Sequence, residues 1–185
     1  MVLVGMMGTG KSTVARLLGG ALGYGVVDTD QLVEGRAGRT VAEIFDQDGE
    51  GEFRVAEARA IAEVGEMAGP LVVSVGGGAV LAATNRAALR ALGTVVWLRA
   101  RPATLAERLR AGHGRPLLTT GPGAPDGTTT PYGVLVRLDH ERGAFYEEVA
   151  DVVIDVDEVS PLQVARLVAD ALAERDAPAP GRRSG

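Results

Sequence analysis

The amino-acid sequence predicts an α/β protein, a three-layer α/β/α sandwich built on a central parallel sheet of about five strands. Short apolar runs alternate along the chain with segments of helical periodicity, and this order is typical of parallel sheets. The apolar runs are residues 1–4, 26–27, 71–75, 95–98 and 152–156. Continuous runs such as 71–73 also predict strands that are covered by helices on both faces.

Composition limits the class of protein further. The 185 residues, 46% of them hydrophobic, fit one compact domain with a sizeable core. No run approaches the roughly 18 apolar residues of a membrane span, and no charged-then-apolar leader precedes the first motif, so we expect a cytoplasmic protein. The absence of cysteine excludes disulfides and thiolate chemistry, and the net charge of -5 argues against nucleic-acid or membrane partners.

A phosphate-binding loop follows the first predicted strand directly. Residues 5–12 read GMMGTGKS, which is a complete G-x-x-x-x-G-K-S motif. The glycines allow the backbone to form a nest of N–H donors, and the helix that follows directs its positive end at the phosphates. Lys11 is placed to reach the β- and γ-phosphates of a nucleoside triphosphate, and Ser12 to offer its hydroxyl to Mg²⁺.

The helices are predicted from apolar residues at helical spacing. The first helix follows the loop and stops at Gly23, a residue that commonly ends helices. A second long pattern covers residues 50–67, Pro102 opens another in its first turn, and Ser160 with Pro161 opens the last. The predicted buried positions of these four helices are 14, 17, 18, 21 and 22; 53, 56, 60 and 64; 105 and 109; and 162, 165, 169 and 172.

Two carboxylates close the second predicted strand. Asp28 and Asp30 flank Thr29, and residues two apart on an extended chain point the same way. We therefore expect both carboxylates to face one site at the carboxyl edge of the sheet, next to the phosphate loop. There Asp28 would help to hold hydrated Mg²⁺, and Asp30 would accept the proton of an attacking substrate hydroxyl. The alternative is a solvated turn or a helix N-cap, with Asp30 before a helical pattern over residues 31–35.

Glycines and arginines supply the other candidate contacts. Gly76, Gly77 and Gly78 follow the third strand and would press backbone N–H groups against a ligand. Arg54, with Glu57 one turn further along its helix, and Arg142 could together grip a carboxylate through bidentate hydrogen bonds. Taken singly, each arginine is more often a surface residue.

Residues 115–131 form the one long stretch without periodicity, and they are dense in glycine, proline and threonine. Loops of this length are usually functional lids or passive insertions. Two interpretations of residues 115–131 stay open: the whole stretch is a lid, or a lid is followed by a passive insertion. Arg115 at its start could swing over the phosphates, and Arg108 before it could lie against adenine, although neither role follows from spacing alone.

In combination and in chain order, these motifs resemble the shikimate kinase family, whose fold is nucleoside monophosphate kinase-like. The resemblance rests on GMMGTGKST, DTD, the Phe53-Arg54 pair, GGG, RPLL from Arg115 and the late Glu141-Arg142 pair, and it covers residues 2–172. It implies transfer of the γ-phosphoryl group of ATP to the 3-hydroxyl of shikimate, with Mg²⁺, on the route to chorismate and the aromatic amino acids. It further implies a monomer.

The resemblance also implies the roles of individual residues. Lys11, Asp30 and Arg115 would be catalytic, and Ser12 and Asp28 would serve the metal, Asp28 through water. Phe45 and Phe53 would wall the shikimate pocket, although lone aromatics at apolar positions could equally be core. The implied ATP contacts are Gly8, Thr9, Gly10, Lys11, Ser12, Thr13, Arg108 and Arg115. The implied shikimate contacts are Asp30, Phe45, Phe53, Arg54, Gly76, Gly77, Gly78 and Arg142.

On this basis we place a single kinase domain at residues 1–175, with a substrate-binding region at about 30–60, a lid at about 111–131 and a disordered tail at 176–185. Three alternatives remain. A gluconate-type kinase would use the same arginine pair, and a nucleoside monophosphate kinase would have no need of Asp30. A noncatalytic ATP-binding module would have no need of the intact candidate catalytic and metal-binding residues, which are Lys11, Ser12, Asp28, Asp30 and Arg115.

Overall fold

The computed structural model describes residues 1–111 and 130–176, which fold around a five-stranded parallel sheet. The strand order is β2-β3-β1-β4-β5, and every neighbouring pair is parallel. The strands are β1 (Val2–Val4), β2 (Gly25–Asp28), β3 (Leu71–Ser74), β4 (Val95–Arg99) and β5 (Val152–Asp155). The predicted class and the five predicted strands are confirmed.

Eight α-helices and one 3₁₀ turn at Ala79–Leu81 are found in the described ranges. The helices are α1 (Lys11–Leu22), α2 (Thr29–Ala37), α3 (Val41–Gln47), α4 (Gly49–Val64), α5 (Ala83–Ala91), α6 (Pro102–Ala111), α7 (Pro131–Val149) and α8 (Pro161–Asp176). Among the described residues, none of these helices combines the length and the apolar character that crossing a membrane requires.

The direction of each crossover decides which face of the sheet a helix covers. The chain passes from β1 to β2 in one direction across the sheet, and from β2 to β3, β3 to β4 and β4 to β5 in the other. Because parallel crossovers are right-handed, α1 lies on one face and the helices of the other crossovers lie opposite. The packing agrees, since α8 contacts α1 on the first face while α5 contacts α4 and α7 on the second.

The core is centred on the inner strands. All three residues of β1 are fully buried, and so are Val72, Val95, Val96 and Leu98 of the adjacent strands. The edge strand β2 differs from the prediction of strands covered on both faces, because the Val26 side chain is 42% exposed. β2 lies at the edge of the sheet, where the covering helices do not bury both of its faces. The continuous burial expected of a parallel sheet is therefore found on the inner strands.

The buried faces of two helices were predicted partly wrongly. In α1 the buried positions include Ala15 and Gly19, whereas Leu22 is exposed. Gly19 sits so close to Val26 that any side chain there would overlap it, and this approach turns the small residues of α1 toward the sheet. In α8, Leu162 is likewise exposed, and Val164 and Val168 are buried in its place.

Candidate active site

A cleft of about 590 Å³ lies at the carboxyl edge of the sheet, within the size range of small-molecule sites. It opens where the chain's crossovers change direction, between the loop after β1 and the loop after β3, which is where open α/β sheets bind ligands. Most of the sequence-predicted site residues line it. They are Gly8, Gly10, Lys11, Ser12, Thr13, Asp28, Asp30, Phe45, Phe53, Arg54, Gly76, Gly77, Gly78, Arg108 and Arg142.

The phosphate loop owes its shape to glycines with backbone conformations that other residues avoid. Gly8 and Gly10 have φ values of +83° and +91°, and Gly10 is the N-cap of α1. Thr9 lies outside the cleft lining, and its buried hydroxyl donates to the Met6 carbonyl at 2.9 Å. Thr9 therefore shapes the loop from behind through its side chain.

Lys11 is held in place by the loop itself. Its Nζ is buried and donates to the carbonyl oxygens of Gly5 at 2.7 Å and Met6 at 2.9 Å. The ammonium group thus lies across the mouth of the loop at the start of α1, where the helix dipole also favours anions.

Oxygen ligands suited to a hard cation gather beside the loop. Ser12 Oγ donates to Asp28 Oδ2 at 2.7 Å and lies 3.4 Å from Ser74 Oγ. Strand register explains the arrangement, because Asp28 and Ser74 are directly paired across β2 and β3. Ser74 was not predicted as a site residue, although its place at the end of a strand beside Asp28 was a usable signal.

The prediction that Asp28 and Asp30 share a face of extended chain is wrong. β2 ends at Asp28, which caps α2 by accepting a hydrogen bond from the Asp30 N–H at 3.1 Å, and Asp30 lies in the first helical turn. Both still face the cleft, because the turn of the helix, rather than strand alternation, directs Asp30 inward. The predicted helix also starts earlier than residue 31, at Thr29.

The triglycine segment is fixed from both sides by hydrogen bonds. The buried Thr29 hydroxyl accepts from the Gly76 N–H at 3.2 Å, and the Tyr146 hydroxyl donates to the Gly77 carbonyl at 2.5 Å. The Gly76 N–H is therefore occupied, contrary to the prediction that all three glycines present N–H groups to a ligand. Of the three glycine N–H groups, those of Gly77 and Gly78 have no acceptor among the described residues.

The glycines are also required by close packing. A Cβ on Gly76 would lie 2.5 Å from Glu57 Oε1 and 2.7 Å from Asp30 Oδ1, and one on Gly78 would overlap the Arg54 guanidinium. Side chains of α2 and α4 therefore press directly onto the backbone after β3. This contact accounts for the glycines better than a simple turn would.

Arg54 is oriented by two carboxylates and two rings. Its Nη1 pairs with Glu57 at 2.9 Å, as the sequence predicted, and its Nη2 pairs with Glu50 at 2.8 Å. Its guanidinium carbon lies 5.3 Å from the ring centre of Phe53 and 5.9 Å from that of Phe45. Phe53 is buried and Phe45 is partly exposed, and the rings contact each other as well as the cleft, so core and pocket wall are the same surface here.

Glu57 is a fully buried carboxylate behind this arginine. Burial raises the pKa of its carboxyl, the Arg54 charge opposes that rise, and the Asp30 charge adds to it. Arg142 also acts on this pKa, lowering it, which places the second arginine within electrostatic range of the same point. The Arg142 Nε is buried and has no hydrogen-bond partner in the described part of the chain. The two arginines thus converge on one wall of the cleft.

Arg108 lines the cleft at the opposite end. Its guanidinium donates to the carbonyl oxygens of Val156 and, at 3.2 Å, Asp157, which anchors it to the segment after β5. Arg115, the lid prediction and the tail beyond residue 176 lie outside the described residues. The cleft also includes residues that sequence reasoning missed, among them Arg16, Val134 and Leu138. The last two precede Arg142 at four-residue intervals, and this spacing could have revealed them.

The fold and the phosphate loop together define a P-loop kinase of small molecules. The family model described as shikimate kinase matches residues 7–173 of the sequence. A shikimate kinase of Symbiobacterium thermophilum is 47% identical over 178 residues, which cover 95% of this chain and 97% of that protein. The chain belongs to the shikimate kinase family.

Solved structures agree with this assignment. The shikimate kinase from Acinetobacter baumannii in complex with shikimate superposes with a TM-score of 0.86 at 31% identity, covering 96% of this chain and 94% of that one. A gluconokinase from Sinorhizobium meliloti is 20% identical with a TM-score of 0.50, covering 95% of this chain and 96% of that one, and it shares the fold alone.

Proposed function

We propose that this protein transfers the γ-phosphoryl group of ATP to the 3-hydroxyl of shikimate, giving shikimate 3-phosphate and ADP. The observation that carries the proposal is the single cleft in which the phosphate loop meets Asp30 and a converging pair of arginines, Arg54 and Arg142. A cationic phosphate end and a carboxylate-binding end in one cavity suit a kinase whose acceptor is a hydroxy acid.

On the acceptor side, Arg54 and Arg142 bind the carboxylate of shikimate. Arg54 is the better fixed of the two, because Glu50 and Glu57 hold its guanidinium in one orientation. The N–H groups of Gly77 and Gly78 are available to donate to the ring hydroxyls, and Phe45 and Phe53 supply an apolar wall. This combination of two cations, backbone donors and rings matches a polar ring that carries a single carboxylate.

At the reacting hydroxyl, Asp30 is the proton acceptor. Its position in the first turn of α2 brings it against Gly76 of the glycine wall, the segment Gly76–Gly78, in the same cleft that the phosphate loop lines. A loose phosphoryl-transfer transition state requires mainly positioning and late proton acceptance, so a carboxylate held in place by packing suffices.

On the nucleotide side, the backbone of Gly8, Thr9 and Gly10 and the side chains of Lys11 and Thr13 bind the phosphates. Lys11 stabilises the charge that develops on the transferred group. The adenine lies near Arg108, which is anchored to the loop after β5. Arg115 is proposed as a further phosphate contact, from the family resemblance alone.

Ser12 and Asp28 fit a magnesium ion, because their oxygens lie 2.7 Å apart beside the loop and Mg²⁺ prefers oxygen ligands. When bound there with ATP, Mg²⁺ would neutralise phosphate charge. The chain's own part is to hold the Ser12 hydroxyl and the Asp28 carboxylate together, with Ser74 behind them.

The test is release of ADP by the purified protein with MgATP and, in turn, shikimate, quinate, gluconate, AMP or no acceptor. We expect release that depends on shikimate. Gluconate-dependent release would favour the gluconate-type alternative, and AMP-dependent release the nucleoside monophosphate kinase. Nucleotide binding without release would favour the noncatalytic module. Lys11→Met serves as the inactive control.

A further inference from the structure

Tyr146 of α7 is nearly inaccessible to solvent, yet its hydroxyl has a specific partner. The side chain is 1% exposed, its ring stacks on Trp97 with ring centres 5.6 Å apart, and its hydroxyl donates to the Gly77 carbonyl at 2.5 Å. Burial raises the pKa of the phenol, so the group remains a proton donor at neutral pH. Burying a hydroxyl is costly unless it is hydrogen-bonded, and here the bond is made to the glycine wall itself.

This bond joins the two halves of the acceptor end of the cleft. Tyr146 lies one helical turn after Arg142, so the two side chains share a face of α7. Arg142 lines the cleft from α7, and the peptide of Gly77 lines it from the loop after β3. The Tyr146 hydroxyl is a direct link between the two elements, and it is made at a glycine that lines the cleft.

A second link holds the same loop farther along, away from the cleft. Arg86 donates to the carbonyl oxygens of Val80 and Leu81, pairs with Glu148 of α7 at 2.9 Å and lies over the ring of Phe145. The carboxyl-terminal half of α7 is therefore attached to the loop at two points. The Arg86 attachment holds α7 to the 3₁₀ turn outside the cleft, whereas the Tyr146 attachment holds α7 to Gly77 in the glycine wall.

We propose that Tyr146 is a positioning residue for the acceptor: by holding the Gly77 carbonyl it fixes the spacing between the glycine-wall N–H donors and the Arg142 guanidinium. The proposal rests on the proposed function, because it concerns the same acceptor. It assigns Tyr146 no contact with substrate. The bond itself contains no atom of the phosphate loop or of Arg108, although Gly77 packs beside Gly5 and Met7 of that loop. We therefore expect its loss to weaken acceptor binding rather than nucleotide binding.

The test is the steady-state kinetics of Tyr146→Phe, which keeps the ring stacked on Trp97 and removes only the hydroxyl. We expect the KM for shikimate to rise by about 3- to 10-fold, the range that one hydrogen bond typically contributes, with the KM for ATP unchanged within about 2-fold. Tyr132→Phe, at an exposed tyrosine of the same helix, should change neither KM.

A second control distinguishes the proposed positioning role of Tyr146 from a general contribution to the stability of the fold. Val149→Ala removes packing from a buried position of α7 that makes no bond to the glycine wall, and it should lower the Tm without a selective rise in the KM for shikimate. If Tyr146→Phe folds poorly, it is measured in a Gly35→Ala background, because a Cβ at Gly35 meets nothing within 4 Å and alanine favours the helix.

An unchanged KM for shikimate in folded Tyr146→Phe would overturn the proposal, and so would an equal rise for shikimate and ATP or a rise that Val149→Ala matches. Failure of the proposed function is recognised separately, because the unsubstituted protein would then show no shikimate-dependent release of ADP.

Discussion

Replacing Gly76 with alanine would push on two carboxylates of the site at once. The added Cβ would lie 2.5 Å from Glu57 Oε1 and 2.7 Å from Asp30 Oδ1, whereas ordinary contact begins at 3.4 Å. The two oxygens would therefore have to retreat by about 0.9 Å and about 0.7 Å. The φ angle of Gly76 is not positive, so the substitution acts through these contacts and not through backbone strain.

The loss of stability and of catalytic rate in Gly76→Ala depends on how far the Glu57 and Asp30 carboxylates can move. Glu57 is fully buried and paired with Arg54, so its displacement costs packing, and overpacked cores lose about 1–3 kcal/mol of stability. Asp30 is the proposed proton acceptor, and misplacement of a reacting group by about 1 Å can cost on the order of 100-fold in rate. We expect kcat of Gly76→Ala to fall by about 10- to 100-fold, with a higher KM for shikimate.

Two measurements are made on each variant, the rate of ADP release and the free energy of unfolding from urea denaturation. Together they separate a loss of stability from a loss of catalytic rate. The matched control is Gly35→Ala in α2, where a Cβ meets nothing within 4 Å and helix propensity should add about 0.5–1 kcal/mol. A folded Gly76→Ala protein with unchanged kcat and unchanged KM for shikimate would refute the placement of Asp30 against the glycine wall.

Lys11→Met should abolish turnover while the circular dichroism spectrum is retained, and normal turnover would remove the phosphate loop from the mechanism. Arg54→Ala should weaken shikimate binding by about 2–5 kcal/mol without changing the KM for ATP; Arg39→Ala, at an arginine paired with Asp48 away from the cleft, is the control, and equal effects would contradict the carboxylate role. Glu57→Gln tests pH linkage: because burial raises the Glu57 pKa in the folded state, the folded protein holds this proton more tightly than the unfolded chain. Urea denaturation should therefore show the stability of the unsubstituted protein falling relative to Glu57→Gln as the pH rises above the ordinary pKa of about 4.5. A constant or rising difference would be inconsistent with the shift.

Much of the fold could be predicted because its signals are local. The five strands follow from apolar runs, and the phosphate loop follows from glycines whose positive φ values allow the turn before α1. The Arg54 and Glu57 pair also follows from helical spacing. These features depend on residues within a few positions of one another, and the same sequence pattern therefore specifies them directly.

Helix faces and helix starts were predicted less well because they depend on what the helix packs against. Leu22 and Leu162 have the right spacing for burial and are exposed. For Leu22 the reason is that Gly19 brings the face of α1 with small residues against β2, and in α8 Val164 and Val168 are buried instead of Leu162. Asp28 and Asp30 were expected on extended chain, and their shared direction instead comes from a helix that begins at Thr29. The monomeric state and the role of Arg115 stay predictions.

By itself the sequence determined the class of chemistry, because a phosphate loop between a strand and a helix is a local structure with a local signature. Only the tertiary structure decided how the acceptor end is assembled. Thr29 and Gly76 are 47 residues apart, and Tyr146 and Gly77 are 69 apart, yet each pair shares a hydrogen bond at the glycine wall. No periodicity encodes such pairs, since they arise when parallel strands bring their carboxyl ends to one edge and the helices then close over it.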